Sequence, residues 1–264
     1  MHKSFYFLIL SVLLWSCNDF QKALKSEDIA EKFALGNELF EQGDYKRAYR
    51  LFDQILPSYR GKPQAEKLTY MHAMSSYELG DYYIASYHFD KFGGSYPNSE
   101  KSEDAAFYSA KGYYFLSPVY SKDQTDTIEA LEKLQLFVNN YPNSKYLQEA
   151  NELIKQLDYK LEKKDFEIAK QYNKIREYKA SIKAFNLFLF DFPGTTLREE
   201  ALYQRFDAAS KLAINSVEFL QEERVNEALS YYDTLKNNYP ESEFLEAAQP
   251  AKDELDALLK LFNL

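Results

Sequence analysis

A chain of 264 residues is long enough for one or two ordinary domains. Only eight Gly and eight Pro, against 23 Tyr and 20 Phe, suit packed helices better than a many-stranded sandwich. A formal charge of −9 offers no attraction to a phosphate backbone and argues against nucleic acid as a partner.

His2 and Lys3 precede an almost unbroken apolar run from Phe5 to Trp15, followed by Ser16 and Cys17. A positive start, about 7–15 apolar residues and a small residue before the cut predict a secretory signal over residues 1–16. The run is shorter than the roughly 20 residues of a membrane span. Cys17 is the only cysteine, so no disulfide forms within one chain. Leu14-Trp15-Ser16-Cys17 resembles a bacterial lipobox, in which the cysteine is acylated and opens the mature protein. An ordinary cleaved signal with a stray cysteine is the alternative. On the lipobox reading Cys17 is the lipid attachment point and residues 17–28 form an acylated cysteine and short polar tether. Cleavage there removes Lys3 and no carboxylate, leaving the mature chain one charge more negative.

From Ile29 the apolar residues fall three or four apart, which predicts amphipathic helices. The first hairpin carries Phe33, Leu35-Gly36 and Leu39-Phe40, breaks at Gly43-Asp44-Tyr45, and resumes with Ala48, Phe52 and Ile55. The second repeats the plan with Tyr70, Ala73, Tyr77, Gly80-Asp81-Tyr82, Ala85, Phe89 and Phe92. A short phrase then recurs: Tyr96-Pro97-Asn98-Ser99, Tyr141-Pro142-Asn143-Ser144, Phe192-Pro193-Gly194-Thr195 and Tyr239-Pro240-Glu241-Ser242. At one fixed distance before each Pro stands a small residue: Ala85, Ala130, Ser181, Ala228. At a second fixed distance stands a large apolar one: Phe92, Phe137, Phe188, Leu235. Fixed internal spacing marks one structural unit copied along the chain. Small residues let helices cross closely, the large one fills the space between neighbours, and Pro ends a helix. The Ser or Thr two residues on is placed to cap the next helix.

This pattern resembles the tetratricopeptide (TPR) repeat of about 34 residues. The expected fold is all-α: a right-handed TPR solenoid of about five helical hairpins plus a C-terminal capping helix. Residues 29–97 would hold repeats one and two, and residues 98–264 repeats three to five with the cap. Successive prolines are 45, 51 and 47 positions apart, so the later repeats carry extra material. In the third it is the loop Leu116 to Thr125. In the fourth it is extra helix, because Tyr146 to Glu177 contains no Gly or Pro and predicts one long helix or two abutting ones. In the fifth it lies around Asn215 to Glu223. Gly93-Gly94-Ser95 reads as a loop, and Pro250 as a kink or break in the final helix.

No motif for catalysis emerges. His72 and His88 lack a metal-ligand spacing, and His72 falls on a packed helix face. No nucleophile–base set, P-loop or metal set is present, so the expectation is a binding protein without cofactor or metal. The repeat register places Phe33, Asn37, Phe40, Tyr70, Met74 and Tyr77 on the first helix of each pair, as a candidate groove for an extended peptide. For Phe33 and Phe40 packing against the neighbouring repeat is an equal alternative; for Tyr77 the groove is favoured. Charge is also uneven. Residues 155–183 hold nine basic and five acidic side chains, and residues 222–256 three and ten. Opposed blocks can orient a partner, and solvated helix faces account for most such charges.

Several features together carry a family resemblance: the Ser121-Lys122-Asp123-Gln124 loop, the Pro-Asn-Ser phrases, and Thr195 with Arg198-Glu199-Glu200-Ala201-Leu202. The chain resembles the BamD-like TPR lipoproteins of the outer-membrane β-barrel assembly machinery, over nearly the whole mature length. Glu200 is inserted relative to that pattern, and the C-terminal region is longer and more acidic. The resemblance implies a non-catalytic adaptor, lipid-anchored on the periplasmic face of the outer membrane, that assists assembly and insertion of β-barrel proteins. It implies three kinds of partner: the POTRA region of a BamA-like barrel insertase, other Bam lipoproteins, and unfolded outer-membrane protein clients. By position, Arg198 would dock the POTRA partner. Another periplasmic TPR lipoprotein, scaffolding envelope maintenance or cell-wall enzymes, is the alternative.

Overall fold

A computed structural model describes residues 19–262, and all regular structure among them is helical. The expected signal over 1–16 and the lipid attachment at Cys17 lie outside the described residues. Two compact units emerge: residues up to Pro118 with Lys122–Leu157, and Val119–Ser121 with Asp158 onward. The boundary between the two units falls near Leu157. No helix among the described residues is long and apolar enough to cross a membrane.

The first unit opens with helical turns over 19–25. Then come α1 (Ile29–Glu41), α2 (Tyr45–Ile55), a 3-10 turn (Leu56–Tyr59), α3 (Ala65–Glu78), α4 (Tyr82–Ser95), α5 (Ser102–Leu116), α6 (Thr125–Asn140) and the first part of α7 (Leu147–Lys174). The second unit holds the rest of α7, then α8 (Tyr178–Asp191), α9 (Arg198–Ile214), α10 (Glu218–Asn238) and α11 (Glu243–Phe262). Within each unit consecutive helices pack as antiparallel hairpins, the arrangement the repeats predict.

The hairpin turns follow from single residues. Gly43 and Gly80 adopt φ of 78° and 80°, a left-handed conformation that glycine enters without steric cost. Asp44 then accepts a hydrogen bond from the Arg47 backbone N–H at 3.1 Å and starts α2. The spaced small residues Ala85, Ala130, Ser181 and Ala228 have no exposed surface, and Phe92, Phe137, Phe188 and Leu235 are at most 2% exposed. Where helices touch, side chains are missing: a Cβ on Gly36 would lie 2.5 Å from the Phe52 ring, and one on Gly112 would collide with Ser86 Oγ. Ser86 and Ser109 complete that second crossing, each hydroxyl donating to the other's backbone carbonyl.

Four expectations are corrected. Residues 17–28 are no polar tether throughout: 19–25 are helical, and Phe20 and Ala23 lie in the core with Leu39, Leu51 and Phe52. Burying a Phe contributes about 1.5–3 kcal/mol, enough to hold so short a segment down. Gly93 and Gly94 are the last turn of α4 rather than a loop, since buried Phe92 anchors that turn and its carbonyl accepts from Tyr96 N–H. The final helix is not broken at Pro250, which sits inside α11 on its exposed side, where the carbonyl left without its N–H partner can meet water. The Ser or Thr of the first three phrases does not cap the helix start, whereas Ser242 does, its Oγ accepting from Phe244 N–H in the first turn of α11. Ser144 Oγ accepts from Tyr146 N–H, closing a local turn, and donates to Glu103 on α5. Ser99 does the same with Lys101 N–H and Glu66 on α3. In these two phrases the serine ties the new repeat to the first helix of the repeat before it. The long stretch after Tyr146 resolves as the single 28-residue helix α7.

Candidate functional site

The first helices of the pairs in unit one carry the expected groove residues, and packing divides them. Phe33 is half-buried and stacks on Tyr59 at 5.2 Å. Asn37 is half-buried, with its Oδ1 enclosed and unbonded. Met74 and Tyr77 are corrected from groove to core. They are 8% and 9% exposed, and Tyr77 meets Tyr108 edge-on at 5.0 Å and Tyr82 at 5.4 Å. A ring surrounded by other rings gains more from those contacts than a groove position would give it.

Phe40 and Tyr70 remain, and the structure brings them together. They line one open hollow of about 550 Å³ with Met71 and Phe92 on its apolar wall. Glu41, Pro63, Glu66, Lys67 and Lys101 complete it. Phe40 is fixed edge-on to Tyr45 at 5.4 Å, and Tyr70 edge-on to Phe92 at 5.6 Å. Burial pushes the Tyr70 phenol up, with Asp104 adding to the effect, so it stays a neutral hydrogen-bond donor. Lys101 Nζ lies 5.4 Å from the Tyr70 ring centroid and 3.1 Å from Asp104 Oδ2. Burial would raise the Asp104 carboxyl, but bonds from Lys145, Tyr146 and Lys101 outweigh it and hold the group below its usual value. The result is an aromatic-walled hollow with fixed charges of both signs, suited to an extended segment with apolar side chains and a polar backbone.

Arg198 is the first residue of α9 and half-buried. Its Nη1 donates to the Leu189 carbonyl at 3.3 Å, in the last turn of α8, where carbonyls lack helical partners. No carboxylate lies within ion-pair distance of it among the described residues. The sequence reading missed its neighbour one stripe along the helix. Arg205 Nη1 donates to Asn186 Oδ1 at 2.8 Å, and its guanidinium covers the Tyr231 ring at 4.2 Å. Its Nε is buried without a partner. Burial lowers the Arg205 pKa from its ordinary value, and the Arg198 charge lowers it further. Spacing alone could have found it, because positions 198 and 205 lie seven apart, on one helix face.

His72 is 1% exposed. Its ring stacks on Tyr49 at 4.5 Å and meets His88 edge-on at 4.6 Å. Asp53 Oδ1 is 3.5 Å from Nε2, too far for a good hydrogen bond. Burial, then the neighbouring His88, pushes the His72 pKa down to about 4. A neutral buried imidazole of this kind is a structural residue. Among the described residues no group of His, Cys, Asp and Glu is set to hold a metal.

The outer membrane lipoprotein family YfiO matches residues 26–219. The chain is also 24% identical over 240 residues to the outer membrane protein assembly factor BamD of Rickettsia prowazekii (strain Madrid E), covering 90% of this chain and 91% of that protein. The matched family segment starts before α1 and ends at the start of α10, so it contains every repeated hairpin of the first unit, all of α8 and α9, and Arg198. The chain belongs to the YfiO family of outer membrane lipoproteins.

Proposed function

We propose that this chain is a non-catalytic adaptor of the barrel-assembly machinery, held by acylated Cys17 on the periplasmic face of the outer membrane. The observation that carries this is end-to-end similarity to an assembly factor, over nine-tenths of both chains, on a scaffold of stacked helical hairpins. Helical repeats of this kind present extended binding surfaces rather than reaction centres. Two surfaces divide the work. The Phe40–Tyr70 hollow takes unfolded outer-membrane protein clients. The face around Arg198 docks the POTRA region of the barrel insertase, and other Bam lipoproteins join that assembly. The guanidinium fits this role because its bond to Leu189 aims it without neutralising it, leaving its charge for a partner's carboxylate.

Calorimetric titration of the mature protein with the POTRA segment of its own organism's insertase tests the docking. Arg198→Glu weakens binding by about 2–4 kcal/mol, the cost of a central charged anchor. Unchanged affinity in a folded Arg198→Glu protein would sink the docking role. Phe40→Ala with Tyr70→Ala lowers the affinity for unfolded client segments about tenfold while leaving POTRA binding intact. If both affinities hold, the hollow is not the client site.

A further inference from the structure

We infer that, given acyl chains on Cys17 as proposed above, the first unit is seated directly on anionic lipid headgroups through a basic rim around Phe20. Only Asn18 stands between Cys17 and the described residues. Two residues of extended chain span about 7 Å. Beyond them nothing is slack. Phe20 and Ala23, 3% and 1% exposed, are packed into the core with Leu39 and Leu51. The lipid chains therefore leave the protein within about 7 Å of a packed surface, and that surface must meet the bilayer it is fastened to.

The chemistry of the surface fits its occupant. The Arg47 and Arg50 guanidinium carbons lie 5.8 and 5.6 Å from the Phe20 ring centroid. Arg47 is paired with Asp44, but Arg50 is exposed and has no ion pair within 4 Å among the described residues. Lys22 and Lys25 are exposed on the same short helical segment whose other side carries Phe20 and Ala23 into the core. Lys46 is exposed one turn before Arg50. Asp19, Glu27 and Asp28 are exposed carboxylates of the same N-terminal stretch, and Asp53 is exposed on α2, so the cations are interspersed with carboxylates. Cations beside an acyl attachment point are attracted to anionic headgroups, and a chain with one lipid-modified residue gains firmer attachment from such a second contact.

The mature chain makes the test direct. It has one thiol, Cys17, and no tryptophan, because Trp15 lies in the signal. Coupling Cys17 to a maleimide lipid fastens the protein to vesicles whatever the cell does at that residue. Gln21→Trp, at an exposed position, then reports contact through quenching by spin-labelled headgroups. Quenching is expected to be about twofold stronger in phosphatidylcholine–phosphatidylglycerol vesicles than in phosphatidylcholine alone, and to fall in high salt. Lys22→Glu with Lys25→Glu removes the difference with an unchanged circular dichroism spectrum. Adding Arg50→Glu removes it too, but that change also touches Phe20, so the lysine pair is decisive. Equal quenching in the two vesicle types, or a difference that survives in the lysine pair, overturns the seating. If this face instead docks a protein, the same null result is found. Failure of the anchor itself is seen separately, as an unmodified Cys17 peptide in the mass spectrum of membrane-extracted protein.

Discussion

At Arg176 the backbone turns to φ 67° in the loop between α7 and α8. Gly43 and Gly80 hold the same place in earlier hairpins, each followed by Asp-Tyr where Arg176 is followed by Glu177-Tyr178. An L-residue there bears a cost of about 1–2 kcal/mol that glycine does not. The Arg176 side chain is exposed. Arg176→Gly is therefore expected to stabilise the protein by about 1 kcal/mol, offset in part by the freer unfolded chain, as read by urea denaturation. Gly36→Ala has the opposite sign: its Cβ would press on Phe52, which has no exposed surface, and overpacking costs about 1–3 kcal/mol. His72 adds a pH dependence. Its folded pKa near 4 lies below its ordinary 6.5, so between those values the unfolded chain binds a proton that the folded chain refuses. Stability from this group is complete above pH 6.5 and falls on acidification toward pH 4, by about 3 kcal/mol. His88, also lowered by burial and by Lys91, works in the same direction, while Asp53 opposes both. His72→Gln should flatten the acid limb of a stability–pH curve; an unchanged limb would show that other groups set it.

The recurrent Pro phrase governs the elements. It ends one helix with a buried large residue five positions before the Pro, and at Ser99 and Ser144 the hydroxyl then joins the next repeat to the last. Ser144→Ala loses the 2.6 Å bond to Glu103 and the turn bond to Tyr146 N–H, and is expected to cost about 1–2 kcal/mol in thermal unfolding. A loss no larger than that of an exposed Ser→Ala would show that the phrase acts through its Pro and aromatic alone. These helices and their core were legible because Ala85, Phe92 and their counterparts recur at fixed spacing, and spacing on a helix decides burial. Residues 19–25 were not legible. So short and polar a segment has no periodicity to read, and it folds only because the α1–α2 core accepts Phe20. Tyr77 was misjudged for a similar reason. Helical register gives the direction of a side chain, but Tyr82 and Tyr108 come from other helices and close over it. Phe40 and Tyr70 escaped that fate because the start of α3 leaves space beside them. Arg205 shares a helix face with Arg198 at a spacing of seven, but its half-buried setting is made by Tyr231 and Asn186 from other helices, which no spacing shows.

At the scale of the whole molecule, repeats of one plan carry different surfaces. The first unit offers an aromatic hollow beside fixed charges and, near Phe20, the exposed cations Lys22, Lys25 and Arg50. The second offers Arg198 and Arg205 on one stripe of α9. An adaptor with two such surfaces can engage two partners at once, with two modest affinities acting together through a raised local concentration. Combining Arg198→Glu with Phe40→Ala and Tyr70→Ala should therefore impair barrel assembly more than either change alone. The most direct measurement is co-purification of the protein from detergent-solubilised membranes, followed by mass spectrometry of its partners. The adaptor role predicts the POTRA-bearing barrel insertase in stoichiometric amount, lost with Arg198→Glu. Recovery of cell-wall enzymes in its place, with no insertase, would contradict it.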